Sequence, residues 1–250
     1  MHIEVVTLFP ELIQQSLKVG VLGRAVERGI VKVGCEDPRA HTSDVHRTVD
    51  DRPYGGGPGM VLKPEPMSAA IDAAAGRAPA GSPRIYMSAQ GVPFTQSLAE
   101  EFSKLPGLVL VAGRYEGLDE RVIESRIERE VSVGDYVLSG GEFPALVIID
   151  AVARLLPGVL GDERSNVEEA FDKRMLDWPH YSRPVVFEGR TVAQVLQGGH
   201  HADIQRWRLK QAVARTWLRR PDLIARGGLA ADAARLLDEF LAEREGERHG

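Results

Sequence analysis

The 250-residue chain is 43% hydrophobic and 27% charged, with a formal net charge of −5. Its length predicts one large domain or two small ones, and its composition excludes a disordered chain. A single cysteine, Cys35, excludes a disulfide framework and any cysteine-rich zinc or iron–sulfur site, and fits a reducing compartment.

Ile3 to Phe9 predicts an N-terminal strand, β-branched and mostly apolar. Pro10 opens a helix that runs to Lys18, and Val31 to Cys35 predicts a second strand. Residues 36–60 are polar and glycine-rich without a clear period. A stretch that long is more than a connection and is commonly functional. A regular rhythm follows. Helix Glu65–Ala75 leads to strand Arg84–Ser88, helix Thr95–Lys104 to strand Leu108–Ala112, and helix Leu118–Ile127 to strand Glu130–Val133. Such alternation predicts an α/β fold, a parallel sheet with helices on both faces. Pro144 to Leu156 predicts a buried helix, closed by Pro157-Gly-Val-Leu-Gly161. An acidic, irregular linker follows, and then helices over Val192–Gln197, Ala202–Arg219 and Ala230–Glu243. The expected organisation is an α/β domain over 1–160, a flexible linker over 161–178 and a small all-helical domain over 179–250.

No segment predicts a membrane span. Ala145 to Leu160 is interrupted by Asp150, Arg154 and Pro157, whereas a span needs about 20 apolar residues. Met1-His-Ile-Glu-Val-Val-Thr7 lacks the basic and apolar regions of a signal peptide. The expectation is a cytoplasmic protein.

In open α/β sheets, ligands bind beyond the carboxyl ends of the strands. Three loops fall there: Ser88-Ala-Gln-Gly91, Gly113-Arg-Tyr-Glu-Gly117 and Gly134-Asp-Tyr-Val-Leu-Ser-Gly-Gly141. Their glycines permit sharp turns and close backbone approach, and together they suit an adenine held through backbone hydrogen bonds. None matches a Walker or Gly-x-Gly-x-x-Gly pattern. The cluster Gly55-Gly-Gly-Pro-Gly59 stands beside Asp50, Asp51, Arg52 and Tyr54, either a flexible turn or a working loop. Asp150 and Arg154, four apart on an apolar helix, form an ordinary ion pair or face a pocket or partner subunit. Glu168 and Glu169 are linker acids, and Trp178-Pro-His-Tyr181 reads as an aromatic anchor. His200 and His201 have no third ligand at metal spacing, so no metal site is predicted. From His200 to Pro221, six basic residues (Arg206, Arg208, Lys210, Arg215, Arg219, Arg220) stand against Asp203, a +5 window in a −5 chain. That excess favours nucleic-acid phosphates over a merely solvated face.

Several long motifs occur in a fixed order. They are Thr7-Leu-Phe-Pro-Glu11, Thr48-Val-Asp-Asp-Arg-Pro-Tyr-Gly-Gly-Gly-Pro-Gly-Met60, Gly113-Arg-Tyr-Glu-Gly-Leu-Asp-Glu-Arg121 and Gly134-Asp-Tyr-Val-Leu-Ser-Gly-Gly-Glu142. Further on come Ile149-Asp-Ala-Val-Ala-Arg154, Pro157-Gly-Val-Leu-Gly161, Pro179-His-Tyr-Ser-Arg-Pro184 and Trp207-Arg-Leu-Lys-Gln211. On these residues the chain resembles, over nearly its whole length, the bacterial tRNA (guanine-N1)-methyltransferases, knotted SPOUT-class enzymes that use S-adenosylmethionine. The resemblance implies a trefoil knot formed by the last strands and loops of the α/β domain. It also implies a homodimer whose active site is shared between subunits. The methyl donor falls to Tyr86, Met87, Ser88, Gly113, Tyr115, Glu116, Gly117, Val133, Gly134, Asp135, Tyr136, Val137, Leu138, Gly140, Gly141 and Pro144. The tRNA falls to Asp50, Arg52, Tyr54, Gly59, His180 and Tyr181, with Arg206, Arg208 and Lys210 of the basic helix.

The reaction implied is methyl transfer to N1 of the guanine immediately 3′ of the anticodon, position 37. A carboxylate takes the N1 proton and a cation stabilises charge on O6; the matching positions are Glu169 and Arg154. Where the family usually reads Glu-Asp-Ser-Phe, this chain has Glu168-Glu-Ala-Phe171, so the base is one methylene longer, about 1.5 Å in reach. Ser88-Ala89 replaces the usual Ser-Pro. Participation of Mg2+ is not legible in the sequence. Two alternatives stay open: a knotted methyltransferase acting on another RNA, and a tRNA-binding protein that keeps the cofactor fold with little turnover.

Overall fold

A computed structural model describes residues 1–160 and 175–249. The chain divides into two compact units, Met1–Glu163 and Arg164–Gly250.

The first unit is built on five parallel strands: β1 (His2–Val6), β2 (Lys32–Glu36), β5 (Arg84–Pro93), β6 (Gly107–Val111) and β7 (Arg129–Ser132), in the spatial order β2-β1-β6-β5-β7. The period of two along β6 explains why both faces are covered. Leu108 and Leu110 point into one apolar cluster with Ile13, Phe102, Ile148 and Ile149. Val109 and Val111 point into another with Met67, Ile71 and Val122. The first cluster is closed by α1 (Pro10–Ser16), α2 (Gly20–Glu27), α4 (Gln96–Ser103) and α6 (Glu142–Arg154). The second is closed by α3 (Pro64–Arg77) and α5 (Glu120–Arg126). The α/β architecture with a parallel, two-sided sheet is therefore as the alternation implies.

Three local differences matter. Helix α2 is absent from the sequence reading, although Leu22 and Ala25 are buried beneath it. The 36–60 stretch holds a 3-10 turn at Pro38–His41 and the strand β3 (Asp50–Asp51), which pairs antiparallel with β4 (Val61–Leu62) just beyond it. Strand β5 does not end at Ser88. Met87 and Val92 both pair with Val131, so residues 88–91 bulge out of the ladder before β5 resumes.

Glu4, on an otherwise apolar strand, is 2% exposed. A network offsets the burial of its charge: Arg77 Nη2 donates to Glu4 Oε2 at 2.6 Å and His2 Nε2 lies 2.7 Å from Glu4 Oε1. Arg77 also pairs with Glu36 at 2.6 Å. Burial alone would raise the Glu36 carboxyl, but hydrogen bonds from His41 and Arg77 outweigh it and hold it below the usual range. Burial, reinforced by Glu4, pushes the neighbouring Cys35 thiol up to about 11, so this cysteine is an inert thiol.

The second unit contains α7 (His201–Arg219), α8 (Pro221–Gly227) and α9 (Ala231–His249), with a 3-10 turn at Gln194–Gln197 in place of the expected helix there. It is not all-helical. Strands β8 (Val186–Phe187) and β9 (Arg190–Thr191) form an antiparallel hairpin. Glu188 and Gly189 turn it with φ of +49° and +77°, as a two-residue hairpin turn requires. The core-facing stripe of α7 runs through Leu209, Val213 and Thr216 against Ala233 and Leu236 of α9. Trp217 is 37% exposed beneath the Arg244 guanidinium. No helix among the described residues is long and apolar enough to cross a membrane.

Candidate active site

The carboxyl-terminal halves of β5, β6 and β7 open into a cleft that is partly open to solvent. Each strand delivers one wall. The β5 bulge supplies Ser88, Ala89 and Gln90; the turn after β6 supplies Gly113 to Gly117; the loop after β7 supplies Val133, Gly134 and Tyr136 to Gly141. Pro144 on α6 completes the lining with Tyr86 and Met87. Two walls are joined directly. The N–H of Gly141 donates to Gly113 O at 2.9 Å, and Arg114 bridges Gly140. Gly141 is dictated by that contact: a Cβ there would stand 2.7 Å from Ala112 Cα and 3.0 Å from Gly113 N, both immobile backbone. Tyr115 is held at φ +58°, a conformation that costs a non-glycine residue roughly 1–2 kcal/mol, and its side chain is exposed at the rim. The Tyr86 phenol is raised by burial and stays protonated.

Every residue expected to hold the methyl donor lines this cleft except Asp135. The N–H of Tyr136 donates to Gly134 O and its hydroxyl to Val133 O, each at 3.0 Å. This folds a tight turn that leaves Asp135 exposed at its apex and out of the lining. Ala89, Gln90, Arg114, Val131, Ser132 and Ser139 also line the cleft. Ala89, Gln90, Arg114 and Ser139 lie in the three loops that the sequence marks as ligand loops without being singled out as contacts there, whereas Val131 and Ser132, at the end of β7, fall outside those loops.

The cleft's charge is distinctive. Among the described residues its one lining cation, Arg114, is committed to Glu142 Oε2 at 2.9 Å and to Ser139 O at 3.1 Å. Its one lining acid among them is Glu116. An acid without a printed partner and a cation already committed give the described lining a local preference for a positively charged ligand group.

The β3–β4 hairpin is stitched to the same turn. Glu116 N donates to Met60 O at 2.9 Å and Leu62 N to Gly117 O at 2.9 Å. Its tip carries the positive-φ glycines Gly55, Gly56, Gly57 and Gly59. Arg52 and the fully exposed Tyr54 line a second groove with Lys63, Asp119 and Arg121, whereas Asp50 and Gly59 line neither. Arg154 stands at the far end of α6 from Gly141, about 20 Å along the helix axis at 1.5 Å per residue. The chain's own cleft therefore does not include it. Glu169 lies outside the described residues. On the outer face of α6, Phe143, Val147 and Asp150 are exposed in a stripe that leads to Arg154; Tyr136, Val137 and Leu138 of the preceding loop are exposed as well.

In the second unit, Arg208 stacks on Trp178 at 4.8 Å, Trp178 faces His180 at 5.5 Å, and Tyr181 faces Trp207 at 6.5 Å. His180 also bonds Asp177 at 2.9 Å. Arg206 and Lys210 are already paired: Arg206 with Glu239, and Lys210 with Glu243, each at 2.6 Å. No local signal in the sequence connects the acids of α9 that cover them to α7. No group of three His, Cys, Asp or Glu side chains fit to hold a metal occurs among the described residues.

A two-sided parallel sheet with a glycine-walled cleft at its carboxyl edge defines an α/β protein whose ligand site lies where open α/β sheets place theirs. The particular family follows from comparison. The chain belongs to the tRNA (Guanine-1)-methyltransferase TrmD family, whose model matches residues 1–226. It is 55% identical over 245 residues to the tRNA (guanine-N(1)-)-methyltransferase of Methylococcus capsulatus (strain Bath), covering 98% of both chains. It is 51% identical over 249 residues to that of Salmonella schwarzengrund, covering 100% of this chain and 98% of the relative.

Proposed function

We propose that this chain transfers a methyl group from S-adenosylmethionine to N1 of the guanine immediately 3′ of the anticodon, position 37, in tRNA. The observation that carries the reading is the glycine-walled cleft, where Glu116 is the only acid among the described lining residues and Arg114 is already neutralised. Family membership and relatives of that name over the full length support it.

The bound donor supplies an activated, sulfonium-borne methyl group. The chain must supply the rest. Glu169 accepts the proton from guanine N1, which frees the lone pair that forms the new N–C bond while the C–S bond breaks. Such a positioned base is worth about 10²–10⁴-fold. Arg154 faces the charge that builds on O6. Because Arg154 lies about 15 Å along α6 beyond Pro144, the cleft-lining residue of its own helix, the complete site calls for a second subunit. The exposed Phe143–Val147 stripe is the apolar surface available for it. The reading includes a cytoplasmic homodimer and a trefoil knot in the α/β unit, whose threading is supported by the crossing of residues 113–114 against 140–141. Transcripts with guanine or adenine at position 37 test the substrate: only guanine accepts methyl, and equal labelling of both would contradict the reading.

The tRNA side rests on α7. Arg206 and Lys210 must exchange α9 carboxylates for phosphates, which is feasible because exposed ion pairs are worth only about 0–1 kcal/mol. Neutralising the competitors in E239Q/E243Q is expected to tighten tRNA binding. It should also steepen the salt dependence by up to about 0.9 in log–log slope for each additional phosphate that the helix engages. Filter binding across a salt series measures it; an unaltered slope would return both pairs to a purely structural role.

A further inference from the structure

Glu142 is fully buried, takes no part in the lining of the cleft and has no role in the chemistry above. A carboxylate in that position must be fully partnered, and its partners are informative. Thr7, at the exit of the central strand β1, donates its hydroxyl to Glu142 Oε1 at 2.9 Å, and that hydroxyl accepts the N–H of Phe9 at 2.9 Å. Arg114 Nε donates to Glu142 Oε2 at 2.9 Å. The same guanidinium donates to Ser139 O at 3.1 Å and lies over the Phe9 ring at 4.4 Å. One planar cation is thus fixed at three points. Those points belong to the segment leaving β1, to α6 and to the 133–141 loop, while the cation itself is rooted in the 113–117 turn. Gly140 is shaped by the same pair: a Cβ there would strike Arg114 Nε and stand 2.7 Å from Glu142 Oε2.

We propose that Glu142, set by Thr7, is a positioning residue that latches the two glycine-bearing walls of the methyl-donor cleft through Arg114 and so fixes its width. The latch rests on the reading of the cleft given above. It acts before any ligand arrives: walls joined by main chain at Gly141 and Gly113 are also held at one spacing by side chains, and the donor does not bear the cost of ordering them. Neither Glu142 nor Thr7 needs to touch the donor for this.

The test is calorimetric titration of S-adenosylmethionine into the full chain and its E142Q, T7V and T7S variants, with steady-state kinetics for both substrates. E142Q keeps the size and loses the charge; T7V removes the hydroxyl, and T7S keeps it. The latch predicts a Kd for S-adenosylmethionine about ten-fold higher in E142Q and T7V, the worth of a charge-assisted hydrogen bond. The KM for tRNA should stay unchanged, and T7S should behave as the parent. E142Q/T7V should be no worse than E142Q, since both act through one contact. Should E142Q not fold, the T7V and T7S comparison carries the test. Parent-like Kd in variants with lowered Tm would reduce Glu142 to a structural residue and overturn the latch alone. A parent chain that fails to bind S-adenosylmethionine would overturn the reading of the cleft, and the latch with it.

Discussion

Replacing Glu169 by glutamine is expected to lower the rate of methyl transfer about 10²–10⁴-fold, the usual worth of a positioned general base. The affinity for S-adenosylmethionine should stay within about two-fold of the parent, because a base that acts on the guanine contributes to the chemical step and not to holding the donor. E169D is the informative companion. It restores the aspartate usual at this position of the family, shortening the side chain by about 1.5 Å, and is expected to keep most of the activity. Single-turnover kinetics with saturating donor isolates the chemical step. Undiminished turnover in E169Q would remove the residue from the chemistry.

The second large effect belongs to Gly141. In G141A the new methyl group meets Ala112 Cα and Gly113 N, and neither belongs to a side chain that can rotate away. The 113–117 and 133–141 walls must part, breaking the Gly141–Gly113 hydrogen bond. A displacement approaching 1 Å at a binding geometry costs about 10²-fold, and donor affinity is expected to fall by at least that much. The variant also tests the shared site. G141A damages only the cleft, and R154A damages only the group at the far end of α6. Mixed and allowed to exchange subunits, the two inactive variants should recover roughly a quarter of the parent activity. Half of a random mixture is heterodimer, with one intact site of two. Absence of recovery would contradict a site built from two chains.

Much of this is readable from residue order. The all-apolar run of β6 and the glycine-bearing loops after β5, β6 and β7 carry their meaning locally, because strand period and turn chemistry are short-range. Helix α2 is hidden, since Gly20 and Gly23 interrupt a pattern that Leu22 and Ala25 nonetheless bury. Helix α8 opens at Pro221 directly after Arg220, a local start signal that a reading of one helix ending at Arg219 leaves unused. The remaining differences are long-range. The β5 bulge exists only in the register against Val131, and the partners of Glu142 include Thr7, 135 residues away. The pairing of Arg206 and Lys210 with α9 spans 33 residues. A count of charges on one helix sees an unopposed basic face; the fold supplies the opposing acids. The methyl-donor residues are named through the resemblance. Their convergence on one cleft, with a neutralised Arg114, is what the fold adds.

The most direct measurement is transfer of labelled methyl from S-adenosylmethionine to an unmodified tRNA transcript, with the product nucleoside and its position identified by mass spectrometry. One equivalent of 1-methylguanosine at position 37 is the predicted result. Methyl label at another base or position, or no transfer while donor and tRNA both bind, would contradict it.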